Sequence, residues 1–167
     1  ARGKEGEAFL DAAMGGRLED LAAMHAHNPT LVHFRGTGLA QTALHWACAK
    51  GHVDAARWLL AQGAQLEARN ASGSTPLHSA AASGSAEVAT VLMQAGANVT
   101  VIDGDGRSCE RVAETRGHDE LSHVLRRKHV AVTDAATADA NAKAAAAYAA
   151  AAADRRDIIP IVSPVET

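Results

Sequence analysis

Thr42-Ala43-Leu44-His45 and Thr75-Pro76-Leu77-His78 are one four-residue phrase written twice, 33 residues apart. Ser108-Cys109-Glu110-Arg111 continues the phrase at the same interval in degraded form. The glycines keep the same beat at Gly51, Gly84 and Gly117, two of them followed by histidine (His52 and His118), and a Gly-Ala pair stands at Gly63-Ala64 and again at Gly96-Ala97. A fixed period of this length marks stacked supersecondary units, each of which buries one side against its neighbours.

Within a period the residues read as turn, helix, tight turn, helix, loop. Thr42 and Thr75 stand where a hydroxyl accepts from backbone N–H groups that a starting helix leaves unpaired. Pro76 follows at the first helical position, where its missing N–H costs nothing. Gly51 and Gly84 end the first helices in the left-handed conformation that glycine adopts without a Cβ penalty. Second helices are expected at about 53–62 and 86–95, with Trp58, Leu59, Leu60 and Val91, Leu92, Met93 turned to their neighbours and Gly63 and Gly96 closing them. An earlier unit is recoverable: Ala12 to Glu19 aligns with Ala47 to Asp54 at an offset of 35, so two extra residues fall in the connection, within Val32–Gln41. Glu7-Ala8-Phe9-Leu10 replaces the threonine phrase there, as suits the end of a solenoid. The last unit departs in the same sense, with Glu110 for the core leucine, Arg111 for the histidine and Arg126-Arg127-Lys128 at the end of its second helix. Val112, Ala113, Leu121, Val124 and Leu125 are its expected inner face.

This register, with Thr-Pro-Leu-His-Ser-Ala at 75–80, resembles the ankyrin repeat family. The resemblance covers about residues 7–129 and implies an all-α ankyrin-repeat solenoid of helix-turn-helix pairs, with repeats at about 7–36, 37–69, 70–102 and 103–129. Residues 1–6 are expected to be frayed. The family uses the histidine of its threonine phrase to hydrogen-bond neighbouring backbone, which gives His45 and His78 a structural role. It binds partner proteins through the projecting turns and one face of the first helices. Residue-by-residue transfer marks Asp11, Met14, Gln41, Trp46, Ala49, Lys50, Ser74, Ser79, Ser83, Arg107 and Arg116. Trp46 occupies a variable position held by Ser79 and Val112 in the other repeats. It is either a partner-binding anchor, offering apolar area with a polar handle, or is covered by its own chain beside the 32–41 connection.

Composition and motifs narrow the remaining classes. Of 167 residues 40 are alanine and only 3% are aromatic, a bias that suits thin cores of close-packed helices. A net charge of −3 leaves no electrostatic footprint for nucleic acid, and the apolar stretches are broken by charge, so no membrane span is expected. Two cysteines make no disulfide framework, and an intracellular, reducing compartment (cytoplasm or nucleus) is the default. His25-x-His27 with His33 lacks the cysteine or acidic partners that make zinc spacing specific. Asp103-Gly104-Asp105-Gly106 imitates the start of a calcium loop, but Arg107 and Ser108 stand where a ligand and glycine are required. Cys48 sits where Ala81 sits one repeat on, a core position. With no nucleophile–base pattern and no phosphate-cradling loop, no cofactor or metal is implied. The expected function is a non-catalytic protein-interaction scaffold for an unidentified protein. The alternative is the targeting or regulatory region of a larger enzyme, which the Ala1-Arg2 start invites.

Past Val130 the composition changes. Thr133 to Arg156 is largely alanine, acidic early and basic late, as the helix dipole favours. Ile158-Ile159-Pro160-Ile161-Val162-Ser163-Pro164 then reads as an extended peptide. Residues 130–167 are therefore expected to be an Ala-rich helix and a tail, with Ile158, Ile159, Ile161 and Val162 docking into an ankyrin groove of the same or a second copy.

Overall fold

The structure, a computed structural model, describes residues 2–154. The tail residues Ile158, Ile159, Ile161 and Val162 lie outside the described residues. Eight α-helices are present among the described residues: α1 Arg2–Met14, α2 Leu18–His27, α3 Ala43–Lys50, α4 Val53–Ala61, α5 Pro76–Ser83, α6 Ala86–Gln94, α7 Cys109–Thr115 and α8 Asp119–Asp154. A 3-10 turn, Pro29–His33, fills part of the longer first connection. No strand forms among the described residues; the nearest approach is a lone bridge between Ile102 and Ser108. The helices pair as α1/α2, α3/α4, α5/α6 and α7/α8, the members of each pair separated by two or three residues. The first helices α1, α3, α5 and α7 pack one on the next, and α2, α4 and α6 form a second row. This is the all-α solenoid of stacked helix pairs that the resemblance implies.

Small residues let the helices close on one another. Phe9, Leu44 and Leu77 are fully buried at one register position, and the alanine-rich pairs Ala12-Ala13, Ala47-Cys48 and Ala80-Ala81 are buried at the next. Leu59 and Leu92 seal the second row at 0% exposure. Burial raises the thiol pKa of both cysteines, that of Cys109 to about 12, and both are held as core atoms. The turn glycines answer a second demand besides their conformation. Gly84 has φ +74, and a Cβ there would fall 2.5 Å from the His118 ring. Gly16, φ +67, lies beneath His52 in the same way, and His52 Nε2 donates to the Met14 carbonyl at 3.0 Å.

The threonine phrase ties the second repeat to the third and the third to the fourth. The Thr42 N–H donates to His45 Nδ1 at 3.2 Å, with the Thr42 hydroxyl 2.9 Å from the same nitrogen. An N–H can only donate, so Nδ1 accepts, the imidazole is neutral, and Nε2–H donates to the Ser74 carbonyl at 3.0 Å. Thr75, His78 and the Arg107 carbonyl repeat the arrangement at 3.3, 2.9 and 3.1 Å. Burial foremost, with Arg35 near His45 and Arg69 and Arg107 near His78, holds both imidazole pKa values below the ordinary 6.5, although the Ser74 and Arg107 carbonyls pull the other way. A depressed pKa contributes stability that is complete above the unfolded value and is lost as pH falls from there through the folded value. Thermal melts should therefore show stability declining as pH falls below about 6.5. Asp103, whose carboxyl lies below its ordinary 3.8, adds acid sensitivity only under that value. A melting temperature that stays flat from pH 7 to 5 would contradict the neutral bridging histidines.

The ends of the stack differ from the sequence expectations. Residues 2–6, expected to be frayed, belong to α1, because Gly6 is buried with the Phe34 ring where a Cβ would stand. Val124, expected on the inner face, is 44% exposed. Leu121, Ser122 and Leu125 take the buried side of α8 instead, since at about 100° per residue position 124 falls off the arc these three define. Glu110, at the register position of Leu77, is half-buried. It lies 3.6 Å from Arg126 Nε and 3.5 Å from His129 Nδ1, and Arg126 also pairs with Glu114. The helices read separately before and after residue 130 are one, α8, as no glycine or proline stands between Gly117 and Pro160 to stop it.

The chain divides into two compact units, Ala1–His129 and Val130–Thr167. The first holds the stack. In the second, α8 continues to Asp154 with Lys143 and Asp139 paired at 3.3 Å one turn apart, and among the described residues no helix is long and apolar enough to cross a membrane.

Candidate protein-binding face

The turns before α5 and α7 are built to a common plan. Asn70 Oδ1 accepts from the N–H groups of Ser72 and Ser74 at 2.9 and 3.0 Å. Asp103 Oδ1 accepts from those of Asp105 and Arg107 at 3.0 and 2.9 Å. Asp103 is buried, which works to raise its pKa, but these bonds and the Arg107 guanidinium (Nε 3.1 Å from Oδ2) outweigh that and hold the carboxyl low. The Asp-Gly-Asp-Gly stretch is thus a turn whose first carboxylate does what Asn70 does one repeat earlier. Successive turns also join: Ala71 N–H donates to the Leu39 carbonyl and Gly104 N–H to that of Ser72, each at 2.8 Å. Arg35 and Arg69 reach forward to the carbonyls of Arg69 and Ile102 at 2.7 and 3.0 Å. A row of side chains borne on these turns is held in fixed spacing.

Beside that row runs the face of the first helices, in columns set by the register. Asp11, Trp46, Ser79 and Val112 share one column; Met14, Ala49, Ala82 and Thr115 the next; Lys50, Ser83 and Arg116 the third; Gln41, Ser74 and Arg107 mark the turns. The structure gathers Gln41, Ala49, Ser74, Ser79, Ser83, Arg107 and Arg116 around one open hollow of about 300 Å³, together with Asn70, His78, Ala82, Asp103, Val112 and Thr115. Asp11, Met14 and Trp46 line a second hollow, of about 180 Å³, with Glu7 and Leu10. Lys50 is exposed at the end of α3 and borders neither.

The setting of Trp46 is mixed. Its ring packs in part on the core, yet it forms a wall of the smaller hollow and stays half-buried. Trp58 is on α4, in the other row, with His25 edge-on to it at 5.4 Å between ring centres. Glu7 and Leu10 are walls that the sequence reading passed over. Their spacing with Asp11 and Met14, at i, i+3, i+4 and i+7, is the signal that puts all four on one side of α1.

Charge varies along the face. Glu7 and Asp11 lie at the α1 end, while Arg107 and Arg116 lie at the α7 end. Arg107 is engaged by Asp103 and Asp105 at 3.0 and 2.6 Å; Arg116 has no ion pair among the described residues. The middle, Ser74, Ser79 and Ser83, is uncharged and hydroxyl-rich, with the Ser83 hydroxyl donating to the Cys48 carbonyl at 3.1 Å.

Comparison with known proteins gives the same register a family. The profile described as ankyrin repeats, in three copies, matches residues 9–103. Among curated proteins, the probable E3 ubiquitin-protein ligase XBOS32 of Oryza sativa subsp. japonica is 35% identical over 70 residues, and the E3 ubiquitin-protein ligase XBAT32 of Arabidopsis thaliana is 31% identical over 70 residues. The probable E3 ubiquitin-protein ligase XBOS33, also of Oryza sativa subsp. japonica, is 34% identical over the same length. Each match takes in 42% of this chain and 14% of the relative.

Proposed function

Because the chain belongs to the ankyrin repeat family, we propose that it is a non-catalytic scaffold that holds a partner protein on the face of α1, α3, α5 and α7 and on the turns beside it. The observation that carries this reading is the column of unlike residues Asp11, Trp46 and Ser79 on a repeating frame, with the buried Val112 closing the column. The frame is rigid because the second repeat bonds the third, and the third the fourth, through turn and histidine alike. The residues it displays differ from repeat to repeat, so the surface is specific without any change of fold. Asp11, Met14, Gln41, Trp46, Lys50, Ser74, Ser79, Ser83, Arg107 and Arg116 are the contact residues of this reading.

Affinity capture with paired variants tests it. Ser79→Trp should fill the centre of the face and weaken partner capture at least about tenfold, and Trp46→Ala should weaken it by a similar factor through lost apolar contact. Thr90→Trp, on the exposed side of α6, should leave capture unchanged. Loss with Thr90→Trp and retention with Ser79→Trp would place the partner on the other row of helices.

A second reading is favoured by the relatives, in which the matching stretch is a small part of a longer E3 ubiquitin-protein ligase. On that reading these repeats are the targeting region of a larger enzyme and the same face selects its substrate. Immunoblotting of source cells with antibody to the repeats separates the two: a band well above 17.2 kDa favours the second, and a band at that mass the first.

A further inference from the structure

We propose that the hollow between α1 and α3 receives one lysine or arginine side chain of the bound protein; this deepens, and rests on, the reading of the face as a protein-binding surface. Its volume, about 180 Å³, is below that of sites that enclose whole small molecules and suits a single long side chain. Leu10, Met14 and the Trp46 ring supply apolar walls for a methylene stem, and an indole ring face attracts a cation. Glu7 and Asp11, one turn apart on α1, supply the negative charge.

The hydrogen bonds leave these carboxylates half engaged. Glu7 Oε1 accepts from the Thr37 N–H and hydroxyl, each at 3.1 Å, while Oε2 accepts from no described residue. Asp11 Oδ2 accepts from Arg17 at 2.7 Å and Oδ1 from none. Arg17 also spans to Asp20 at 3.0 Å, is half exposed, and does not line the hollow. Among the described residues no lysine or arginine lines it either, since Lys50 lies outside. The Trp46 indole N–H has no acceptor among the described residues. Two open carboxylate oxygens around an aromatic wall suit a guanidinium or ammonium head and repel an anionic one.

The test selects a random twelve-residue peptide library displayed on phage against the full 167-residue chain, with Ser79→Trp as the counter-target. Binders lost on Ser79→Trp define peptides held by the face. Among these, lysine or arginine should recur at one aligned position. Replacing that residue with norleucine in a synthetic peptide should raise Kd about tenfold, read from the fluorescence of Trp46 in a Trp58→Phe background. In a Glu7→Gln, Asp11→Asn double variant, whose amides keep the bonds to Thr37 and Arg17, the same replacement should change Kd less than about twofold. Face-bound peptides without a recurrent basic residue, or an equal norleucine penalty in wild type and double variant, would overturn the pocket while leaving the face as a binding surface. A library yielding no binder sensitive to Ser79→Trp would overturn the face and the pocket together.

Discussion

Leu77→Ala is expected to cost about 2–5 kcal/mol of folding free energy, while Glu110→Ala at the same position one repeat later costs under about 1 kcal/mol. Leu77 is 1% exposed on α5, between the buried helices α3 and α7. Removing its branched end forfeits the transfer energy of the lost methyl groups and leaves a cavity that stiff neighbours fill only in part. Glu110 stands on the last of the first helices, and its side chain retains 24% of its exposure. Its links to Arg126 and His129, at 3.6 and 3.5 Å, are partly solvated pairs of small net worth. Urea melts of both variants against wild type give the comparison. Equal losses would mean that α7 is a core helix like α5 rather than the start of a cap.

His78→Ala should cost about 2–4 kcal/mol, more than its removed volume alone would cost, because it strands the buried Thr75 N–H and cuts the bond that joins two turns. The Thr75 N–H loses Nδ1, and the Arg107 carbonyl loses the Nε2–H that joins the two turns. Thr75 is buried, so its N–H keeps most of its desolvation penalty, whereas the Arg107 carbonyl still accepts from the Asp103 N–H at 2.9 Å. The effect has a signature that simple truncation lacks. The variant should also lose part of the acid sensitivity below about pH 6.5, with His45 retaining its own contribution. A His78→Ala protein whose stability falls with pH as steeply as wild type would show that the ring does not bridge the turns in its neutral form.

Much of the fold was legible because the decisive residues are local and repeat. Thr42 and Thr75 start helices, Gly51 and Gly84 stop them, and a fixed interval between such signals needs no knowledge of packing. The errors fall where the repeat fades. Helix α1 has no threonine phrase, and its first turn is ordered by the Phe34 ring over Gly6, a contact between residues far apart in sequence. Val124 looked apolar and therefore inner, but the arc set by Leu121 and Leu125 excludes it. The boundary read at residue 130 from composition coincides with the division into compact units; the helix itself runs on, because the sequence supplies no steric or capping reason there to end it.

The candidate site divides in the same way. Gln41, Ser74 and Arg107, or Trp46 and Ser79, could be placed on common columns by counting. The smaller hollow could not, since Glu7 and Leu10 sit opposite Trp46 only through the pairing of α1 with α3. The charge of Arg107 was readable, but its engagement by Asp103 and Asp105 depends on the closed turn.

The central claim, that a partner lies across the first helices and their turns, is tested most directly by hydrogen–deuterium exchange of the chain with and without a captured partner. Added protection is expected in α1, α3, α5 and α7 and in the turns 69–74 and 103–107, with α4 and α6 unchanged. Added protection confined to α4 and α6 would contradict it.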